Sequence, residues 1–202
     1  MKRLYRRIAI ALAVATLLLA AYTFAFENYV SIDTDYVDLE EPVVITYQDL
    51  LSDEEGFFNQ LYMLLLNEKA ADEYINYEKA AIFSMIGGIV LIIIGLFVFI
   101  KNDKYVILTG GIALNCIAGF ILRTIVDEAE KAVSSSLLGS LEMIFGKAIK
   151  FDSDIGTFLI VSLVLAVGFA ICLVKYYNTT ESTGSAGNDS LNEKQNEMKE
   201  EV

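Results

Sequence analysis

Four apolar runs dominate the chain, and each is close to the roughly 20 residues that an α-helix needs to cross a bilayer. They cover residues 8–26, 80–100, 105–123 and 156–174. In the second run, fourteen residues are Val, Leu, Ile or Phe, which together favour insertion by about 4 to 8 kcal/mol. The sequence therefore predicts an all-α integral membrane protein, built as a four-transmembrane-helix bundle.

The composition agrees with a membrane protein and disfavours most enzymes. Of the 202 residues, 55% are hydrophobic, more than a soluble domain usually carries. The chain has no histidine, and so lacks the commonest general base and metal ligand. We therefore expect no catalytic residues, no cofactor and no bound metal. The net charge of −12 disfavours nucleic acid as a partner.

Basic residues near the span ends predict that both termini lie in the cytoplasm, because cytoplasmic flanks carry an excess of Lys and Arg. The cations gather in the N-terminus 1–7, the turn 101–104 and the start of the tail 175–202. They are Lys2, Arg3, Arg6, Arg7, Lys101, Lys104 and Lys175. Arg123, at the end of the third run, and Lys131, Lys147 and Lys150 in the outer segment 124–155 weaken this bias without reversing it. We expect a multi-pass protein of the cell membrane.

The first apolar run has a second interpretation as a signal peptide. Residues 1–21, "MKRLYRRIAIALAVATLLLAA", resemble the basic and apolar regions of such a peptide. The apolar run continues through "YTFAF", which favours a retained anchor over a cleaved leader. Cleavage would leave three spans with the same remaining topology.

Small and polar side chains recur at helical spacing along every run, as they do where helices pack closely in lipid. The four-residue turn 101–104 predicts an antiparallel hairpin of the second and third spans. Asn115, the most polar side chain at mid-membrane, either contacts an ion or substrate or forms an interhelical hydrogen bond, and we favour the bond. The stripes are Ala9, Ala13, Thr16 and Ala20; Ser84, Gly88 and Gly95; Gly111, Asn115 and Gly119; and Ser162, Ala166 and Ala170.

The first outer loop, residues 27–79, has two parts. Its "YVSID" and "PVVITY" stretches are strand-like and predict a small β element. Apolar residues then recur at helical spacing, which predicts a helix over 57–78 that runs into the second span. The acidic stretch 33–41 offers oxygen ligands for calcium, but it lacks EF-hand spacing, so we favour a solvated acidic surface.

The second outer loop, residues 124–155, contains an amphipathic pattern over 133–151 with a period near 3.6. A fifth crossing is excluded, because it would place the basic flanks on opposite sides of the membrane. The helix then either lies at the membrane surface, which we favour, or re-enters the membrane as a pore helix. Asp152 and Asp154 follow it and are the candidate pore residues. The polar tail 175–202 predicts disorder.

Four spans, a long first outer loop with strand-like stretches and a tight inner turn resemble the layout of claudin-like four-span proteins. The Trp and Cys signature of that family's first loop has no counterpart, because residues 27–79 contain neither residue type. No functional residue is therefore carried over from the resemblance.

We expect a non-enzymatic multi-pass membrane protein that acts through its outer region or as a subunit of a membrane complex. Its partners would be membrane lipid and either another protein or a second copy of this chain. One alternative is an oligomeric cation channel that uses residues 133–154. The least favoured is a membrane-embedded enzyme. The candidate pore or polar packing residues are Asp152, Asp154 and Asn115.

Overall fold

A computed structural model describes residues 1–34, 43–51, 68–135 and 149–200. The described chain consists of long helices with a small sheet at one end. Four of the helices are long and apolar enough to cross a membrane, which agrees with a multi-pass membrane protein. In chain order, the elements are α1 (Lys2–Phe26), β1 (Asn28–Thr34), β2 (Val43–Thr46), a short 3-10 turn (Asp49–Leu51), α2 (Glu68–Asn102), α3 (Val106–Ser135), β3 (Ile149–Asp152) and α4 (Ile155–Glu200).

Helix α2 continues without a break from the outer loop into the second span. At 1.5 Å per residue its 35 residues measure about 52 Å, against a hydrocarbon core of about 30 Å. The helix therefore extends beyond the apolar layer at its N-terminal end, the end at which the sheet lies. This agrees with the predicted continuous rod as far as it is described, since residues 57–67 lie outside the described ranges.

Helices α2 and α3 approach each other closely through glycines. An added Cβ atom at Gly95 would lie 2.5 Å from the Cα atom of Leu108, and one at Gly111 would lie 2.7 Å from the backbone nitrogen of Ile92. Later residues of α2 thus face earlier residues of α3. In the turn between them, Asp103 has a left-handed backbone with φ of 54°, which Asn and Asp tolerate better than most residues.

The small-residue stripes are fully buried in α1 and α3 and only partly buried in α2, where Ser84 is half-buried, and in α4. All four stripe residues of α1 are fully buried, and so is Asn115 in α3. On α4, Ser162 is buried, Ala166 is half-buried and Ala170 is exposed. The predicted packing face of α4 is therefore covered in its outer half alone.

The three strands form one antiparallel sheet in the order β2-β1-β3. Ser31 of β1 lies opposite Val44 on one side and Asp152 on the other. The two strand-like stretches of the first outer loop do form β1 and β2. The third strand comes from the second outer loop, so the sheet joins the two outer segments.

The predicted amphipathic helix over 133–151 is wrong at its C-terminal end, where residues 149–152 form β3. Pairing with β1 satisfies the backbone there, and this tertiary contact outweighs the helical period of the side chains. Helix α3 continues past the predicted span end at Arg123 to Ser135, so residues 133–135 belong to α3. The rest of the predicted segment, 136–148, lies outside the described residues.

The tail also differs from its predicted disorder, because α4 continues as a helix to Glu200. Extending an existing helix avoids the cost of a new nucleus. The tail contains no proline, and its last ten residues are mostly Glu, Lys, Gln, Asn and Met. Glu, Lys, Gln and Met have high helix propensity.

We predict that Gly95→Ala destabilises the bundle by about 1 to 3 kcal/mol, as overpacking of a tight contact does. The added methyl would meet the backbone of Leu108, which can move only if the helices separate. Gly110→Ala is the matched control, because nothing lies within 4 Å of its added Cβ and alanine has the higher helix propensity. Thermal unfolding in detergent, followed by circular dichroism, measures both. Equal stability of the two variants would contradict the tight contact.

Candidate functional site

The sheet covers the outer ends of the helices through two buried tyrosines. Tyr29 of β1 and Tyr47, just after β2, are both fully buried, and their ring centroids lie 5.6 Å apart. Aromatic pairs at this separation contribute about 0.5–1.5 kcal/mol beyond the area that they bury. The cluster beneath them comes from all four long helices and includes Ala20, Ala81, Ile82, Met85, Leu122, Ile125 and Phe158.

A buried hydrogen bond fixes the sheet to α2. The hydroxyl of Tyr29 donates to Oε1 of Glu78 at 2.9 Å, and Glu78 is only 3% exposed. Hydrogen bonds to charged groups contribute about 1.5–3 kcal/mol to stability. Glu78 thus has a structural role, holding β1 against the outer part of α2.

A second link joins β1 to the start of α4. The Oγ atom of Ser153 donates to the backbone carbonyl of Tyr29 at 2.7 Å and accepts from the N–H of Ile155 at 3.4 Å. The serine therefore satisfies one of the free N–H groups at the helix N-terminus. Through Ser153 and Glu78, Tyr29 contacts two transmembrane helices.

The Tyr47 hydroxyl is buried and has no hydrogen-bond partner among the described residues. Burial raises the pKa of this phenol well above its usual value, and the negative charges of Glu27 and Asp154 raise it further. The raised pKa means that the folded state binds the phenol proton more tightly than the unfolded state does. Its contribution to stability is complete below the unfolded pKa of about 10 and is lost as the pH rises above it.

The predicted pore residues lie at the edge of this outer region. Asp152 is exposed and sits opposite Ser31 in the sheet. Asp154 is exposed just before α4, and its carbonyl accepts from the N–H of Phe158 at 3.1 Å. Asn115 is buried in the middle of α3. The structure therefore does not bring the three candidate residues together.

Asn115 lies in the tight contact between α2 and α3. Its Nδ2 atom donates to the carbonyl of Gly111 at 3.1 Å and lies 2.6 Å from where a Cβ atom of Gly88 would be. Its Oδ1 atom and the Oγ atom of Ser162 are buried without a partner among the described residues. The hydrogen bond of Nδ2 therefore stays within α3 and is not the interhelical bond that we favoured from the sequence. Asn115 takes part in the contact between α2 and α3 by packing against Gly88.

Within the described ranges, no three Cys, Asp or Glu side chains gather where they could hold a metal ion. Most of the acidic stretch 33–41, which we considered for calcium, lies outside those ranges.

The opposite end of the bundle is held by Arg6. Its Nη2 atom donates to the carbonyls of Ile100 at 2.6 Å and Phe99 at 3.4 Å, so a cation covers the C-terminal carbonyls of α2, where the helix dipole favours it. Its Nε atom lies 3.0 Å from Oδ1 of Asp103 as an ion pair without hydrogen-bond alignment. The Tyr177 hydroxyl donates to the Asp103 carbonyl at 2.9 Å.

These contacts bring the three basic segments of the chain to one end of the bundle. The N-terminus, the turn after α2 and the end of the fourth span meet there, and the sheet lies at the other end. The cations were recognisable in the sequence, but their contacts with carbonyls and aromatic rings were not.

No family model and no curated protein matches the sequence. Function has therefore to be argued from the residues and their geometry.

The sequence did not identify the residues that hold the outer region together. Tyr29 and Tyr47 lie inside or beside strand-like stretches, and Glu78 lies just outside the second apolar run. These positions are the only feature of the sequence that points to the three residues. The bond between Tyr29 and Glu78 joins positions 49 residues apart, and the bond between Ser153 and Tyr29 joins positions 124 apart. No local pattern predicts such pairs.

We predict that Tyr29→Phe lowers the free energy of unfolding by about 1 to 3 kcal/mol, because the buried Glu78 carboxylate loses a donor. Tyr47→Phe is the matched control: it removes a buried hydroxyl that has no described partner, so stability should stay the same or rise. Unfolding of purified protein by denaturant in mixed micelles compares them. A larger loss for Tyr47→Phe would contradict the assigned contacts.

The wild type and Tyr47→Phe should also differ in how their stability changes in alkaline solution. Because the folded state binds the Tyr47 proton more tightly, the wild type should lose stability between about pH 9 and about pH 11. Tyr47→Phe removes this ionisation and should lose less over the same range. A slope equal to that of the wild type would show that Tyr47 does not contribute.

Proposed function

We propose that this is a non-enzymatic multi-pass membrane protein that presents its outer sheet to a protein partner. The partner would be another subunit of a membrane complex or a second copy of this chain. The observation that most supports this proposal is that β1 pairs with both β2 and β3. This pairing joins two separate outer segments into one structural unit on the ends of the helices. Such a preformed face lowers the ordering cost of association.

The surface composition of this unit supports an interaction. Val44 is 43% exposed and Leu51 is 37% exposed, although both lie beyond the helical spans. The carboxylates of Asp49 and Asp152 are exposed in the same region. Apolar side chains beside polar ones are the usual make-up of a non-obligate interface.

The orientation that we propose places both termini in the cytoplasm and the sheet outside. Support comes from the meeting of the basic N-terminus, the turn at 101–104 and Lys175 at the end opposite the sheet. Cytoplasmic flanks are enriched in Lys and Arg. The 53-residue outer segment 27–79 contains fourteen acidic residues and two basic ones.

The cation channel that uses residues 133–154 is the weaker alternative. The described part of this segment supports a channel less well. Residues 149–152 pair with β1, and both Asp152 and Asp154 lie at the outer end of the bundle. Ion flux through liposomes that hold the purified protein, lost on Asp152→Asn with Asp154→Asn, would favour the channel.

We predict that Val44→Cys, in a chain whose two native cysteines are replaced by alanine, reacts in intact cells with a membrane-impermeant thiol crosslinker. It should form an adduct of one defined mass, either with a partner or with a second copy. Asn102→Cys, in the turn at the opposite end, is the matched control and should react only after the membrane is permeabilised.

Two results would contradict the proposal. Reaction of Asn102→Cys but not Val44→Cys in intact cells would reverse the orientation. Labelling of Val44→Cys with no adduct, together with a strictly monomeric protein after native purification, would reject the interaction.

A further inference from the structure

The geometry points to a lipid site: a groove between α3 and α4, at the basic end of the bundle, holds an acyl chain of one anionic phospholipid whose headgroup lies beside Lys104. The groove has a volume of about 420 Å³, within the usual range for small-molecule sites. It opens sideways toward the surrounding membrane. Its apolar walls include Ile112, Ala113, Ala166, Phe169, Ala170 and Leu173.

Helices α3 and α4 pack closely in their outer halves, away from the groove. There, a Cβ atom added to Gly119 would lie 2.9 Å from Cε1 of Phe158. Toward the basic end, α4 packs instead on α1, where Leu12 lies 3.4 Å from the Cβ position of Gly168. Ala170, predicted to lie in a helix contact, is exposed in the groove.

The dimensions of the groove suit an acyl chain. Along α4 its lining runs from Ala166 to Asn178, about 18 Å at the helical rise, which is close to the roughly 15 Å of one leaflet. The groove is therefore long enough for the acyl chain of a lipid in one leaflet.

The polar end of the groove suits an anionic headgroup. Tyr105 and Tyr177 form its rim with ring centroids 5.0 Å apart, at the depth where aromatic side chains meet headgroups. Beyond this pair, a second cavity of about 220 Å³ is lined by Lys104 and Asp103.

The charges around this second cavity are predominantly positive. The carboxylate of Asp103 is paired with Arg6, whereas Lys104 is exposed and makes no ion pair with any described residue. Six further Lys and Arg residues lie at this end, in 1–7, 101–104 and at position 175. Each cation near a membrane surface favours anionic lipid by about 1 kcal/mol.

Native mass spectrometry of the full chain released from nanodiscs tests whether the bound lipid has an anionic headgroup. The probes are dipalmitoyl phosphatidylglycerol and dipalmitoyl phosphatidylcholine in equal amounts. The wild type should retain one phosphatidylglycerol in preference to phosphatidylcholine, and Lys104→Gln should lower that preference about fivefold, which is 1 kcal/mol for the lost cation. Lys101→Gln is the matched control, because Lys101 lies 5.9 Å over the Phe97 ring and lines neither cavity. Its loss removes general attraction to the membrane surface and should lower the preference of the bound lipid less. Equal losses in the two variants would overturn the headgroup assignment.

Substitutions that fill the groove with a larger side chain test whether the groove holds the acyl chain. Ala170→Phe and Ala113→Phe enter it from opposite helices, and because both alanines are exposed neither change should strain the core. Each should abolish retention of both lipids at unchanged unfolding temperature, whereas Val167→Phe, outside the lining, should not. If Ala170→Phe does not fold, Ala113→Phe decides. Retention in the groove variants, or a wild-type dimer that Ala170→Phe makes monomeric, would overturn the proposal.

Discussion

The tight contact between α2 and α3 determines where both ends of the molecule lie. In lipid, apolar side chains gain little by leaving one apolar medium for another, so close packing and hydrogen bonds hold helices together. Gly95 and Gly111 allow the two backbones to meet. With the pair fixed, Glu78 lies where Tyr29 can reach it, and the turn presents the last carbonyls of α2 to Arg6. The outer sheet and the basic end both depend on this hairpin.

At the outer end, one residue connects three parts of the chain. The hydroxyl of Tyr29 binds Glu78 on α2, its carbonyl binds Ser153 before α4, and its strand pairs with both neighbours in the sheet. The two outer segments are far apart in sequence, and neither has a long helix of its own to bury against within the described residues. Their shared sheet packs on the ends of the long helices, which gives the proposed interaction face a fixed position at that end of the bundle.

What the sequence could predict was local. Apolar length located the four spans, small residues at spacing four identified the buried face of α1, and strand-like stretches located β1 and β2. The features that the sequence did not predict depend on contacts between distant residues. Residues 149–151 share the helical period of the segment before them, yet they pair with β1, and no periodicity reveals a partner more than a hundred positions away. The Tyr29–Glu78 bond was unpredictable for the same reason.

The small-residue stripe of α4 shows that the spacing of small residues does not by itself predict their burial. Thr16 and Ala20 on α1 and Ala166 and Ala170 on α4 follow the same rule of spacing, and only the first pair is fully buried. The spacing of small residues shows that one face of a helix is smooth. The tilt of the neighbouring helix decides whether that helix covers the face. Where α4 leaves α3 to follow α1, Ala170 faces a gap that side chains do not fill. In water such a gap would be hydrated, but in a bilayer its apolar walls favour hydrocarbon, so the smooth face passes from helix packing to lipid contact along one helix.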